Sequence, residues 1–127
     1  MIKVSLNDIL NSTDTFQKIM QQSFKGSLAF KIARLVRELS KEIETFNGQR
    51  QKILNEYCIK DENGNLKQFE NGNVQVIPEK LDSFNTEFNG LLATEIEVNA
   101  DKLPIDSIDS FDITPQEMLT IEMFFED

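Results

Sequence analysis

A chain of 127 residues with 39% hydrophobic and 28% charged residues has a globular balance rather than that of a disordered segment, and its length suits a single domain. The formal net charge of −9 with no histidine and one cysteine excludes the imidazole-based triads, most zinc sites and any disulfide framework. Ten Phe, one Tyr and no Trp make phenylalanine the main bulky core residue, since its ring can be buried without a hydrogen-bond partner.

The charge is unevenly spread. Residues 1–60 hold ten Lys/Arg and six Asp/Glu, a net +4, whereas residues 61–127 hold three and sixteen, a net −13. This asymmetry suits pairing of a basic helix with acidic segments, within one chain or between chains, or simply a solvated acidic surface. The first residues, Met1 to Asp8, form no sustained apolar run, and no stretch approaches the roughly 18–20 apolar residues needed to span a bilayer. Membrane insertion and secretion are therefore not expected, and a lone thiol fits a reducing compartment.

In chain order, Ile2, Val4 and Leu6 alternate with Lys3 and Ser5 as a short half-buried strand does. Ser5 or Asn7 can cap a helical turn after it. Ser12-Thr13-Asp14 is a second start signal, ahead of an apolar face of Phe16, Ile19 and Met20 that should stop near Gly26. Ser27 opens the longest helical pattern, in which Leu28, Ile32, Leu35, Leu39, Ile43, Phe46, Ile53 and Tyr57 follow three- and four-residue steps and Arg50 takes one stripe position. Gly48 predicts a continuous but locally bent helix, because glycine costs about 1 kcal/mol relative to alanine inside a helix.

The Asn-Gly pairs at Asn63-Gly64 and Asn71-Gly72 mark tight turns, and a β-hairpin turning at Asn71-Gly72 is expected between 66–69 and 74–77. Pro78 begins another helix, where Leu81, Phe84, Phe88 and Leu91 form a seam. Two arrangements follow: an antiparallel helical hairpin over residues 27–92 with a β-hairpin tip at about 60–77, or two amphipathic helices packed separately in one core. Ile96 and Val98 alternate with charged neighbours and can pair with the Ile2-Val4-Leu6 strand. Residues 99–113, with Leu103, Ile105, Ile108 and Phe111 among carboxylates, predict an extended acidic strap in which Pro104 limits regular structure. Thr114-Pro115-Gln116-Glu117 combines an N-cap hydroxyl, proline at the first helical position and a capping-box carboxylate. The helix it opens, over 114–126, carries Met118, Leu119, Ile121, Met123, Phe124 and Phe125, and either docks in the core or reaches a partner.

The expected fold is thus α+β and mainly helical, with the helical hairpin, a small strand pair joining the two end regions, and a C-terminal helix, all in one domain over 1–127. The chain offers few groups suited to catalysis. Cys58, flanked by Tyr57 and Ile59, reads as a buried structural thiol. Asp61-Glu62-Asn63-Gly64-Asn65 resembles the opening of a calcium loop, but Leu66 stands at the sixth place of that loop and Gly72 at the twelfth, so a self-satisfied turn is expected. No phosphate-binding glycine motif occurs. Carboxylate pairs such as Glu95/Glu97 and Glu122/Glu126 read as solvated surface rather than as catalytic pairs. No catalytic residue, cofactor or metal is expected. The basic set Lys25, Lys31, Arg34, Arg37 and Lys41 has helical spacing, but Glu38, Glu42 and Glu44 interleave with it, and the overall charge opposes direct nucleic-acid binding. The candidate partner contacts are Arg34, Arg37 and Lys41 on the long helix and Met118, Ile121, Met123, Phe124 and Phe125 at the C-terminal end.

The stretches IKVSLNDILNS, FKIARLVRELSKEIETFNGQRQKILNEY followed by KDENGNLKQFENGNVQV, FNTEFNGLLATEIEV and ITPQEMLTIEMFF together resemble a family of small, functionally uncharacterised proteins from bacteriophages and prophages, chiefly of Gram-positive hosts. The resemblance spans nearly the whole chain and transfers no site residues. It implies a phage origin and a role inside an infected or lysogenic bacterial cell; with no catalytic constellation in the chain, the expected role is protein–protein contact in virion assembly or structure, as an assembly chaperone, connector or minor structural part. The partner would be a phage structural protein, a host protein or a second copy, located in the host cytoplasm or the virion. The alternative it leaves open is an acidic inhibitor of a host or defence nucleic-acid-binding protein.

Overall fold

The computed structural model describes residues 1–69 and 72–126. It is mainly helical, with a long helix, a two-stranded antiparallel sheet and a C-terminal helix, the α+β class expected. By internal contacts the chain divides into two compact units, residues 1–43 with 94–127, and residues 44–93.

The first unit begins with strand β1 (Ile2–Ser5) and helix α1 (Leu6–Ile19). β1 pairs antiparallel with β2 (Glu95–Val98) in the register Ile2↔Val98, Lys3↔Glu97, Val4↔Ile96 and Ser5↔Glu95. The alternation does the sorting: Ile2, Val4 and Val98 are buried, while Lys3, Glu95 and Glu97 face water. Lys3 and Glu95 form an ion pair at 3.7 Å, too exposed to add more than a fraction of a kcal/mol.

Ser5 ends the strand and caps α1. Its hydroxyl accepts from the Asp8 N–H at 3.1 Å while the Asp8 carboxylate accepts from the Ser5 N–H at 3.2 Å, a reciprocal capping box. The second start expected at Ser12-Thr13-Asp14 does not form, and α1 runs through it. The Ser12 and Thr13 hydroxyls donate instead to the Ile9 carbonyl one turn back, so neither competes for an N-cap role. Buried Leu6, Ile9, Phe16 and Ile19 hold one continuous face on the core. The helix ends at Ile19, and Gly26 starts helix α2 (Gly26–Tyr57) rather than stopping α1.

Up to Ile43, α2 buries Ile32, Leu35 and Leu39 in a core shared with Ile2, Ile9, Phe16, Ile19, Val98, Leu103, Phe111, Ile121, Phe124 and Phe125. Residues 99–113 are not simply extended. Pro104 precedes a six-residue 3-10 helix, Ile105–Ser110. The fixed φ of proline starts this turn instead of suppressing it, and the Ser107 hydroxyl donates to the Pro104 carbonyl. Helix α4 (Pro115–Ile121) follows, then a 3-10 turn over Glu122–Phe124. The C-terminal helix is therefore shorter than the 114–126 expected. Its last residues leave the helix because Leu103 claims their backbone: the Leu103 N–H donates to the Phe124 carbonyl and the Glu126 N–H to the Leu103 carbonyl, both at 2.8 Å.

In the second unit, α2 from Glu44 to Tyr57 meets α3 (Leu81–Leu92). Phe46 faces Phe88 and Tyr57 faces Phe84, each at 6.2 Å between ring centroids, and Phe84 stacks on Phe88 at 5.5 Å. The pairing order makes the two helices antiparallel. Leu81 falls outside the expected seam, at 47% exposure. Helix α2 is continuous through Gly48.

The connection between these helices is paired differently from expectation. Residues 66–69 and 74–77 do not form a ladder with each other. Both use the segment after α2, with bridges Lys60↔Leu66 and Cys58↔Val76. Ile59 donates to the Gln75 carbonyl and accepts from the Lys67 N–H, both at 2.9 Å. The tight turn of the paired segments is at Asn63-Gly64, where Gly64 has φ +81° and the Asp61 carboxylate accepts from the N–H groups of Asn63 and Asn65. Of the second turn, Asn71 lies outside the described residues, while Gly72 adopts φ +77°, as a turn glycine should.

Candidate interaction surfaces

The chain's clearest local signal, Thr114-Pro115-Gln116-Glu117, builds the first surface. The Thr114 hydroxyl accepts from the Glu117 N–H at 3.1 Å, and the Glu117 carboxylate accepts from the Thr114 N–H at 2.9 Å. Lys18 of α1 donates to the same carboxylate at 2.9 Å. The Thr114 N–H first, and Lys18 second, hold the Glu117 carboxyl below the usual range. Thr15 and Thr120 share a hydroxyl hydrogen bond of 2.7 Å, a second tie between α1 and α4.

This docking fixes which side of the C-terminal segment is buried. Ile121 and Phe124 are fully buried and Phe125 nearly so. Phe124 lies edge-on to Phe16 at 5.4 Å, and Phe125 edge-on to Phe111 at the same distance. These three residues, expected as partner contacts, are core residues. A segment apolar on nearly all sides packs whichever side its backbone pairing turns inward, and the Leu103 bonds turn the phenylalanines in. Met118 and Met123 remain half-buried, and Leu119 is 64% exposed.

Met118 and Met123 line an open groove of about 470 Å³ with Ile105, Ile108 and Phe125, and the exposed Glu122 and Glu126 contribute to its lining. Exposed Asp106 and Asp109 lie on the same 3-10 helix as Ile105. Methionine is flexible and polarizable, and suits surfaces that adapt to an incoming side chain.

The second surface is the outer face of α2. The candidate contacts Arg34, Arg37 and Lys41 are all exposed. Lys41 is paired with Glu38 at 2.9 Å. Phe30, which is not among the residues the sequence marks as contacts, shares their face and is 67% exposed. The signal was present: Leu28 and Ile32 belong to the buried stripe, and a residue midway between them points the opposite way.

In the second unit, Arg50 does not join the buried stripe. It is exposed and lines a wide polar depression with Gln51, Asn55, Lys60, Asn65 and Gln68. Cys58 is buried, and burial pushes its thiol pKa up, which makes it a poorer nucleophile. The Tyr57 hydroxyl donates to Glu87 at 2.6 Å. That bond first, with desolvation and the nearby Glu56 and Glu87 charges behind it, raises the phenol pKa to about 12.

Among the described residues, no group of three or more Cys, Asp or Glu is placed to hold a metal ion, and no helix is long and apolar enough to cross a membrane. Comparison with known protein families, with curated proteins and with solved structures found no match for the chain.

Proposed function

We propose that this is a non-catalytic phage protein that acts by contacting other proteins in virion assembly or structure, as an assembly chaperone, connector or minor structural part, in the host cytoplasm or the particle. The observation that carries the reading is the groove lined by Ile105, Ile108, Met118, Met123 and Phe125 together with Glu122 and Glu126. Apolar surface accompanied by polar groups is the usual anatomy of a protein contact. The phage setting rests on the resemblance of the sequence. Absence of histidine and the buried thiol of Cys58 favour contact over catalysis.

A second reading is an acidic inhibitor of a host or defence nucleic-acid-binding protein. It draws on Asp106 and Asp109, which a 3-10 repeat sets side by side about 6 Å apart. Glu95 and Glu117, already engaged by Lys3 and Lys18, are drawn away from such a role. The test is affinity capture from phage-producing cells with the wild-type chain and with Ile105→Glu, which places a third carboxylate in the groove. The wild type is expected to retain a particle protein that the variant loses. Equal capture by both would remove the groove from the function, and capture of a nucleic-acid-binding protein instead would favour the second reading.

A further inference from the structure

Two surfaces of the first unit complement each other. Phe30, Arg34, Arg37 and Lys41 step by four, three and four residues along α2, so they share one helix face. All four are exposed. The opposite face buries Ile32, Leu35 and Leu39 in the core that also holds Phe125, so the stripe looks away from that core and cannot fold back into its own chain's groove. The groove offers apolar side chains and two exposed carboxylates in one lining; the stripe offers an exposed phenyl ring followed by cations.

We propose that the stripe of one copy docks on the groove of a second copy of this chain, with the Phe30 ring among Met118, Met123 and Ile105, and Arg34 and Arg37 against Glu122 and Glu126. The occupant is chosen by charge complementarity: this chain itself presents an exposed apolar ring and a cation row on one helix face, opposite in charge to the carboxylates of the groove. Net repulsion between two copies at −9 each does not decide the matter. At about 0.15 M salt, charges beyond roughly 8 Å are screened, while contacting pairs are not.

Stripe and groove are different patches, so copies joined by a single contact build a ring or an open chain, and only two contacts made reciprocally across a two-fold axis close as a dimer. One aromatic anchor and a few ion pairs place it among small, weak, salt-sensitive contacts.

This inference rests on the reading of the groove as a protein-contact surface. It is tested by sedimentation velocity on the full chain over a concentration series. Two single variants at exposed positions are used: Phe30→Glu disables the stripe and Ile105→Glu the groove. Far-UV circular dichroism and thermal melts establish that both are folded. The wild type should gain apparent mass with concentration, and lose that gain at about 1 M salt. Each variant alone should stay at the mass of one chain. Their equimolar mixture should form a one-to-one pair and stop there, because one intact groove meets one intact stripe and the two disabled halves, both carrying an added Glu, repel. A wild type that stays monomeric, a variant that still associates, or a mixture that fails to pair would each overturn the proposal. A monomeric wild type that still captures a particle protein through the groove would sink self-association alone; loss of both would sink the functional reading as well.

Discussion

Replacing Phe124 by alanine separates a C-terminal segment docked in the core from one offered to a partner. The ring is fully buried and lies edge-on to Phe16 at 5.4 Å. Burying a phenylalanine removes on the order of 150–250 Å² from water, which at about 25 cal/mol per Å² gives roughly 4–6 kcal/mol as an upper bound. Measured losses for such truncations run at about 3–5 kcal/mol. Phe124→Ala should therefore remove a large share of a typical stability of about 5–15 kcal/mol, with a melting-point drop on the order of 10–20 °C. Because the chain has no Trp, unfolding is best followed by far-UV circular dichroism in urea. Leu119→Ala is the control: that residue is 64% exposed, and its loss should change stability by no more than about 0.5 kcal/mol. A Phe124→Ala cost below about 1 kcal/mol, or equal costs for the two variants, would refute the docking of this segment.

Thr114→Ala removes the hydroxyl that caps α4 and should cost about 1 kcal/mol in the same urea titration; no change would mean the capping box is not formed. Gly48→Ala should stabilise the chain by about 0.5–1 kcal/mol, because the position is helical and an added Cβ meets nothing within 4 Å, and a loss instead would show that α2 is not regular there. Tyr57 is the single tyrosine, so its ultraviolet absorbance reads one phenol directly. Its pKa is raised to about 12, so the stability from its bond to Glu87 is fully present below the ordinary tyrosine value of about 10 and is lost as pH rises through about 12. Glu87→Ala should bring the absorbance midpoint back toward about 10, and an unchanged midpoint would remove Glu87 as its cause.

Much of the fold was legible because its signals are local or periodic. Ile2 and Val4 matched Ile96 and Val98 by alternation alone, Thr114 to Glu117 declared a helix start, and the stripe from Leu28 to Tyr57 gave nearly the whole of α2. Less was legible where the outcome depends on which distant backbone a segment meets. Residues 118–125 are apolar on almost every side, so periodicity could not separate Phe124 and Phe125, which are buried, from Leu119, which is not. The bonds to Leu103 made that choice. Likewise, the flanks of Asn71-Gly72 had the pattern of a hairpin, yet residues 57–61 compete successfully for both of them. Ser12-Thr13-Asp14 has the composition of a cap but lies within a longer buried face, and burial of that face prevailed over local preference.

The central claim, that the groove between the 3-10 helix at Ile105 and helix α4 is where this protein meets its partner, is tested most directly by a photo-crosslinking amino acid at position 105 of the full chain, irradiated in phage-producing cells. An adduct to a particle protein or to a second copy of the chain is expected, with the copy attached through a peptide of α2 that contains Phe30. Adducts absent at position 105 but abundant when the same probe stands at an exposed site of the second unit, such as Gln51, would contradict it.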